Sequence, residues 1–149
     1  MVTSLSQETF RDGSSVAIAI VRTPRAEQYH TGIVHKHAEA NVNCFLHLRW
    51  NLDLTQEPAL TGQSIVAINL NHRVQKRVAA KCRLVWRKNQ AGAIPYGFAS
   101  PQGAFDSKSG QYLRGLVGYG LTCSSFVLSV FDSEGIPLID YADMAHVSS

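Results

Sequence analysis

An α+β fold is what this 149-residue sequence predicts. Strand-like stretches crowd its first half, two helical stripes follow, and Gly- or Pro-bearing segments separate them. Val16-Ala-Ile-Ala-Ile-Val21 is a run of small and β-branched residues that Thr23-Pro24 stops, because the residue before a proline is held extended and the ring then breaks the pattern. It gives a first strand over Ser15–Arg22. Tyr29 to Lys36, Y-H-T-G-I-V-H-K, gives a second. Val42 to Trp50 gives the clearest: Val42, Cys44, Leu46, Leu48 and Trp50 alternate with Asn43, Phe45, His47 and Arg49, the period of two expected of a half-buried strand. Asn51 to Gln63 holds Pro58 and Gly62 and reads as a connection, while Ser64 to Leu70 is ambiguous between strand and coil.

Asn71 is placed to cap a helix that runs to about Lys88. Val74, Val78, Cys82, Val85 and Trp86 recur along it at helical spacing, and Asn89 to Gly92 ends it. Ile94 to Ser100 reads as extended and Pro101 to Gly120 as a Gly-rich loop whose glycines would permit a lid. A second helix is expected from near Thr122 to about Ser133, closed by Gly135 and Pro137. With no repeat, low-complexity tract or linker in view, residues 1–149 read as one domain.

Composition narrows the class further. Hydrophobic residues at 45% and charged residues at 17% describe a globular chain rather than a disordered one. No apolar run approaches the roughly 20 residues that cross a bilayer. The stretch Met1 to Gly13 is polar, and six apolar residues at Val16–Val21 are too few for a secretory signal. Three cysteines without disulfide or zinc spacing point to reduced thiols, hence a cytoplasmic chain or one exported without a classical signal peptide. Seven of the 14 basic residues fall between His72 and Lys88 with no acid among them. That face lacks interleaved exposed aromatics, so it reads as solvated. Nucleic acid is disfavoured, and contact of helix 72–88 with a membrane or anionic partner stays as the minority reading.

The stretch Gly118-Tyr-Gly-Leu-Thr-Cys-Ser-Ser-Phe-Val-Leu-Ser-Val-Phe131 is the most informative one. Two glycines allow irregular backbone before the helix, Thr122 can cap it, and Cys123 becomes its first residue. The unpaired amides and positive dipole end there favour thiolate over thiol, and the same amides suit the oxyanion of a tetrahedral intermediate. Yet Phe126, Val127, Val130 and Phe131 continue a buried stripe from Cys123, and free cysteine is often a core residue. Residue chemistry alone leaves Cys123 open between nucleophile and core. Cys44 and Cys82 both sit in apolar stripes and read as core.

Cys123 in G-L-T-C-S-S-F-V, preceded far upstream by His30-Thr-Gly-Ile33, resembles the circularly permuted papain-like hydrolases. These are the permuted branch of the NlpC-type amidases, which includes the lecithin:retinol acyltransferase-like enzymes. In that branch the histidine-bearing strands come first and the cysteine helix last. A small residue precedes the cysteine (here Thr122), and an aromatic–aliphatic pair follows three residues on (here Phe126-Val127). A second polar residue, often histidine, lies on the adjacent strand, matched by His47 in Phe45-Leu-His47-Leu48. The likeness runs from about Ser15 to Gly135. It implies an α+β, papain-like domain whose antiparallel sheet packs against the cysteine-bearing helix. It also implies a cysteine peptidase or amidase that needs no cofactor or metal and cleaves an amide or peptide bond through a thioester, bacterial cell-wall peptides included. Cys123 would be nucleophile, His30 base, and His47 the group that orients it. His47 would be a weaker orienter than a carboxylate, since it brings no charge to balance imidazolium. Tyr29 or Tyr119 would supply a second oxyanion donor.

Competing expectations stand beside this one. His35 and His37 are alternative bases, and His35-Lys-His37 with Glu39 is a conceivable but disfavoured metal set. His47 shares a strand face with Asn43 and Arg49, where a solvated histidine is the bland expectation. An acyltransferase or lipid hydrolase with the same triad is the functional alternative, and a non-catalytic anion-binding domain is the alternative outside enzymes.

Overall fold

A computed structural model of the chain describes residues 2–4, 15–23, 28–37, 42–59, 63–115 and 119–139. Expectations resting on Pro24, Glu39, Gly62, Gly118 and most of Met1 to Gly13 lie outside the described residues.

Six strands and two helices form in the order β1 (Val2–Ser4), β2 (Val16–Arg22), β3 (Tyr29–Lys36), β4 (Asn43–Trp50), β5 (Asp53–Pro58), β6 (Ser64–Ala67), α1 (His72–Asn89) and α2 (Cys123–Asp132). The strands make one antiparallel sheet ordered β1-β6-β2-β3-β4-β5. The α+β class is therefore as expected, and two strands were not. Val2–Ser4 adds an edge strand from a stretch read as merely polar. Asp53–Pro58 adds the other edge from a stretch read as a connection. Pro58 sits at the last position of that edge strand, where its missing N–H costs no ladder bond. Ile94–Ser100 forms no strand; its contribution is a single parallel bridge, Tyr96 to Leu121.

Both faces of the sheet bury apolar residues. Val16, Ile33, Leu46, Leu48 and Leu54 face the helices and pack with Val78, Cys82 and Val85 of α1 and Phe126, Val127, Val130 and Phe131 of α2. Ala17, Ala19, Val34, Phe45 and Ile65 form a second cluster. The ladder puts Val34 opposite Phe45 and Ala17 opposite Val34, so this cluster lies on the other face. Strand β4 is consequently buried on both sides from Cys44 to Leu48, which corrects the half-buried reading, and the expected core residue Trp50 is 63% exposed. Alternation of polarity is informative only where one face meets water.

Helix α1 begins as expected, with Asn71 accepting a hydrogen bond from the Val74 amide at 3.0 Å. Its basic face is only partly solvated. Lys81 is buried; its ammonium donates to the Ser107 carbonyl and lies 3.3 Å from a Glu134 carboxylate oxygen. Arg77 reaches the same carboxylate at 3.0 Å, and Arg83 donates to the Lys36 carbonyl. Among the described residues no helix is long and apolar enough to cross a membrane.

Candidate active site

The site forms where β3, β4, β5 and the first turn of α2 meet. Strand β3 pairs with β2 over Tyr29–His35, but its ladder to β4 runs only over Ile33–Lys36. Short of that ladder, at Gly32, the side chains of β4 lean across the strand. A methyl group on Gly32 would strike the Phe45 ring and lie 2.8 Å from both His47 Cβ and the Leu46 carbonyl. The bare backbone thus lets Phe45 and His47 stack over β3, with ring centroids 4.3 Å apart and planes 16° from parallel. His30, two residues before that glycine, meets the stack edge-on and sets its Nε2 2.6 Å from His47 Nδ1.

Helix α2 brings the sulfur. Thr122 adopts the extended cap conformation; its hydroxyl accepts from the Ser125 amide at 3.0 Å, and its own amide donates to the Ser125 hydroxyl at 2.8 Å. This reciprocal capping box fixes the first turn and makes Cys123 the first helical residue. With the Ser125 amide taken by the cap and the Phe126 amide bonded to the Thr122 carbonyl, the Cys123 and Ser124 amides are the first-turn donors that no intrahelical carbonyl can reach. Thr122→Ala is expected to cost about 1 kcal/mol of stability, read as a lowered midpoint in urea unfolding.

The approach to Cys123 is held by a close crossing of backbone. Leu121 N donates to the Pro95 carbonyl at 2.9 Å and Gly97 N to the Leu121 carbonyl at 3.2 Å. A Cβ on Gly120 would strike Tyr96 and come within 2.6 Å of Gly97 N, so glycine here answers a steric demand of two touching main chains.

The three cysteines differ sharply. Cys82 is fully buried and its thiol is pushed up to about 12, chiefly by burial. Burial also raises Cys44. Cys123 is half-buried and goes the other way, from 9.0 to about 6. Its largest cause is a hydrogen bond from His30; burial opposes, and the Thr31 backbone and hydroxyl add further bonds.

No family model, curated protein or solved structure matches this chain.

The structure brings together the three residues singled out in the sequence, His30, His47 and Cys123. His47 is only 4% exposed, so the solvated reading is overturned. Its ring is pressed down from 6.5 to about 4, first by burial and then by His30, which keeps it neutral near pH 7. The competing base His35 is fully buried and bonded through Nε2 to Gln56 Oε1 at 3.0 Å; its strand position puts it on the other face of β3 from His30. His37 is exposed, and no metal-holding cluster of His, Cys, Asp and Glu exists among the described residues. Tyr29 and Tyr119 are 68% and 58% exposed.

Sequence reasoning missed one participant. Glu57, on the edge strand β5, sets Oε1 3.2 Å from His47 Nε2. Because β5 was read as a connection, the residue had no strand to place it. The local cue was the two-residue turn Asn51-Leu52 just before Asp53, since Asp53-Leu-Thr-Gln-Glu57 carries no alternation of polarity to mark a strand.

Proposed function

We propose that the chain is a cysteine hydrolase of papain-like, NlpC-type architecture that cleaves an amide or peptide bond. The observation that carries this reading is the placement of Cys123 in the first turn of α2, its thiol drawn down first by His30, whose Nε2 lies 2.6 Å from Nδ1 of a second histidine. Neither of the other thiols has such surroundings.

The steps follow from these atoms. With Nε2 of His30 engaged by His47, Nδ1 is the nitrogen available to the thiol. It takes the thiol proton, and the sulfur attacks the substrate carbonyl carbon. Negative charge moves to the carbonyl oxygen, and the first-turn amides of Cys123 and Ser124 are the donors aimed at that charge. Collapse of the intermediate breaks the C–N bond; the leaving amine takes the proton from His30 and a thioester remains on Cys123. Water then attacks the thioester with His30 as its base, releasing a carboxylic acid and the thiol.

Alkylation tests the nucleophile without a substrate. Iodoacetamide is expected to modify Cys123 far faster than Cys44 or Cys82 at pH 7, with a rate that climbs through a midpoint near 6 as thiol becomes thiolate. His30→Ala should push that midpoint toward 9. Slow, uniform labelling of all three thiols would overturn the proposal and favour an anion-binding domain.

One observation favours a second reading. A cleft of about 590 Å3 opens beside the same helix turn, between Thr122, Ser124 and Leu128 on one side and Phe98, Pro101 and Ile139 on the other, with a largely apolar lining. Such a lining suits an acyl chain, as an acyltransferase or lipid hydrolase would need. Incubation with an acyl thioester or phospholipid, followed by mass spectrometry of Cys123, separates the two. Turnover confined to peptide amides removes the second.

A further inference from the structure

We propose that Glu57 is a positioning residue that fixes the proton pattern of the His47–His30–Cys123 chain and balances the charge formed on His30. This role rests on the cysteine-hydrolase reading and adds a fourth member to its machinery.

The proton pattern follows from one fact about carboxylates: ionised, they only accept hydrogen bonds. The nitrogen facing Glu57 is His47 Nε2, 3.2 Å away, so Nε2 carries the hydrogen. Neutral His47 then has a lone pair on Nδ1. That nitrogen lies 2.6 Å from His30 Nε2, which must therefore be the donor. His30 in turn keeps its lone pair on Nδ1, the nitrogen left for the Cys123 thiol. Each proton is placed by the one before it. Reverse the first, and the last step presents N–H to the thiol instead of a base.

Charge makes the same point. His47 by itself stays neutral and cannot offset an imidazolium at His30. A carboxylate behind it can, as in triads where an acid holds the base. The other groups acting on His47 do not compete for this position. Phe45 stacks on its face, and Arg49, which lowers its proton affinity, is paired with Asp53 at 2.8 Å. Asp53 also accepts from the Thr55 hydroxyl. Glu57 is the carboxylate in hydrogen-bond contact with the ring, and its side chain is 51% exposed on an edge strand, so replacing it leaves the core untouched.

The test compares wild type, Glu57→Gln and Glu57→Leu by two measurements on the full chain. One is the iodoacetamide rate at Cys123 against pH. The other is the imidazole tautomer pattern in long-range proton–nitrogen spectra. Wild type is expected to show His47 protonated at Nε2 and an alkylation midpoint near 6. Glu57→Gln keeps the shape and removes the charge; its midpoint should rise by about one unit, with the rate at pH 6.5 falling roughly threefold. Glu57→Leu removes the acceptor as well and should mix the His47 tautomers. Thermal melting of all three should coincide within a few degrees. Variant profiles and tautomers that superimpose on wild type would overturn the inference while leaving the hydrolase reading intact. A wild-type midpoint near 9 would remove that reading, and this role with it.

Discussion

Cys123→Ala is expected to abolish turnover of peptidyl 4-nitroanilides, with kcat falling by roughly 10^4-fold or more. The substitution deletes one half-buried sulfur at the start of a capped helix, so the melting temperature should stay close to wild type and the loss can be assigned to chemistry. His30→Ala should lose a comparable factor, since a thiol without its base is mostly protonated at neutral pH. Groups that act as one unit are strongly non-additive. The double variant His30→Ala/Cys123→Ala should therefore be no slower than Cys123→Ala alone. Residual turnover within tenfold of wild type in the single cysteine variant would place the chemistry elsewhere in the molecule.

The second large effect is expected at a residue that touches no substrate. Gly32→Ala adds one methyl group directly under the Phe45–His47 stack, 2.8 Å from His47 Cβ and from the Leu46 carbonyl. The carbonyl belongs to a central strand and cannot withdraw. Phe45 is 2% exposed, so its ring has little room to turn. Overpacking of this kind costs about 1–3 kcal/mol, and here the strain falls on the ring that holds His30. A melting temperature lowered by several degrees is expected, together with a drop of about tenfold in Cys123 alkylation at pH 6.5, since a displaced His30 no longer supports the thiolate. Gly115→Ala is the control: an added Cβ there meets nothing within 4 Å, so it should fall within about 0.5 kcal/mol of wild type. Unchanged stability and reactivity in Gly32→Ala would mean that the stack is looser than its geometry requires.

The two helices were legible because each carries its boundary chemistry locally. Asn71 and Thr122 are side-chain acceptors at the starts, and apolar stripes at a spacing of three and four follow them. Strands β2 to β4 were legible from β-branched runs and alternation. What failed was anything decided at the sheet's margins or by its depth. Strand β5 buries one residue, Leu54, and shows the polar composition of an edge, so hydrophobicity had nothing to report. Phe45 and His47 look half-solvated in an alternating pattern, yet both are buried, Phe45 within a second apolar cluster on that face of the sheet. Of the site, the three expected residues meet because β3, β4 and α2 were placed correctly, and Glu57 was lost with its strand. The H-T-G-I segment also gains a physical reason for its glycine, the clearance needed by two rings crossing from the neighbouring strand.

Glu134, in the turn after α2, is clasped by both Arg77 and Lys81 of α1. Two of the seven cations in His72–Lys88 are thereby answered by a single counter-charge, and Lys81 is only 2% exposed. The long-range potential outside this helix is accordingly weaker than a residue count implies. Those two cations act as a clamp between the helix and the end of α2, and little of their attraction is left over for steering an anionic encounter.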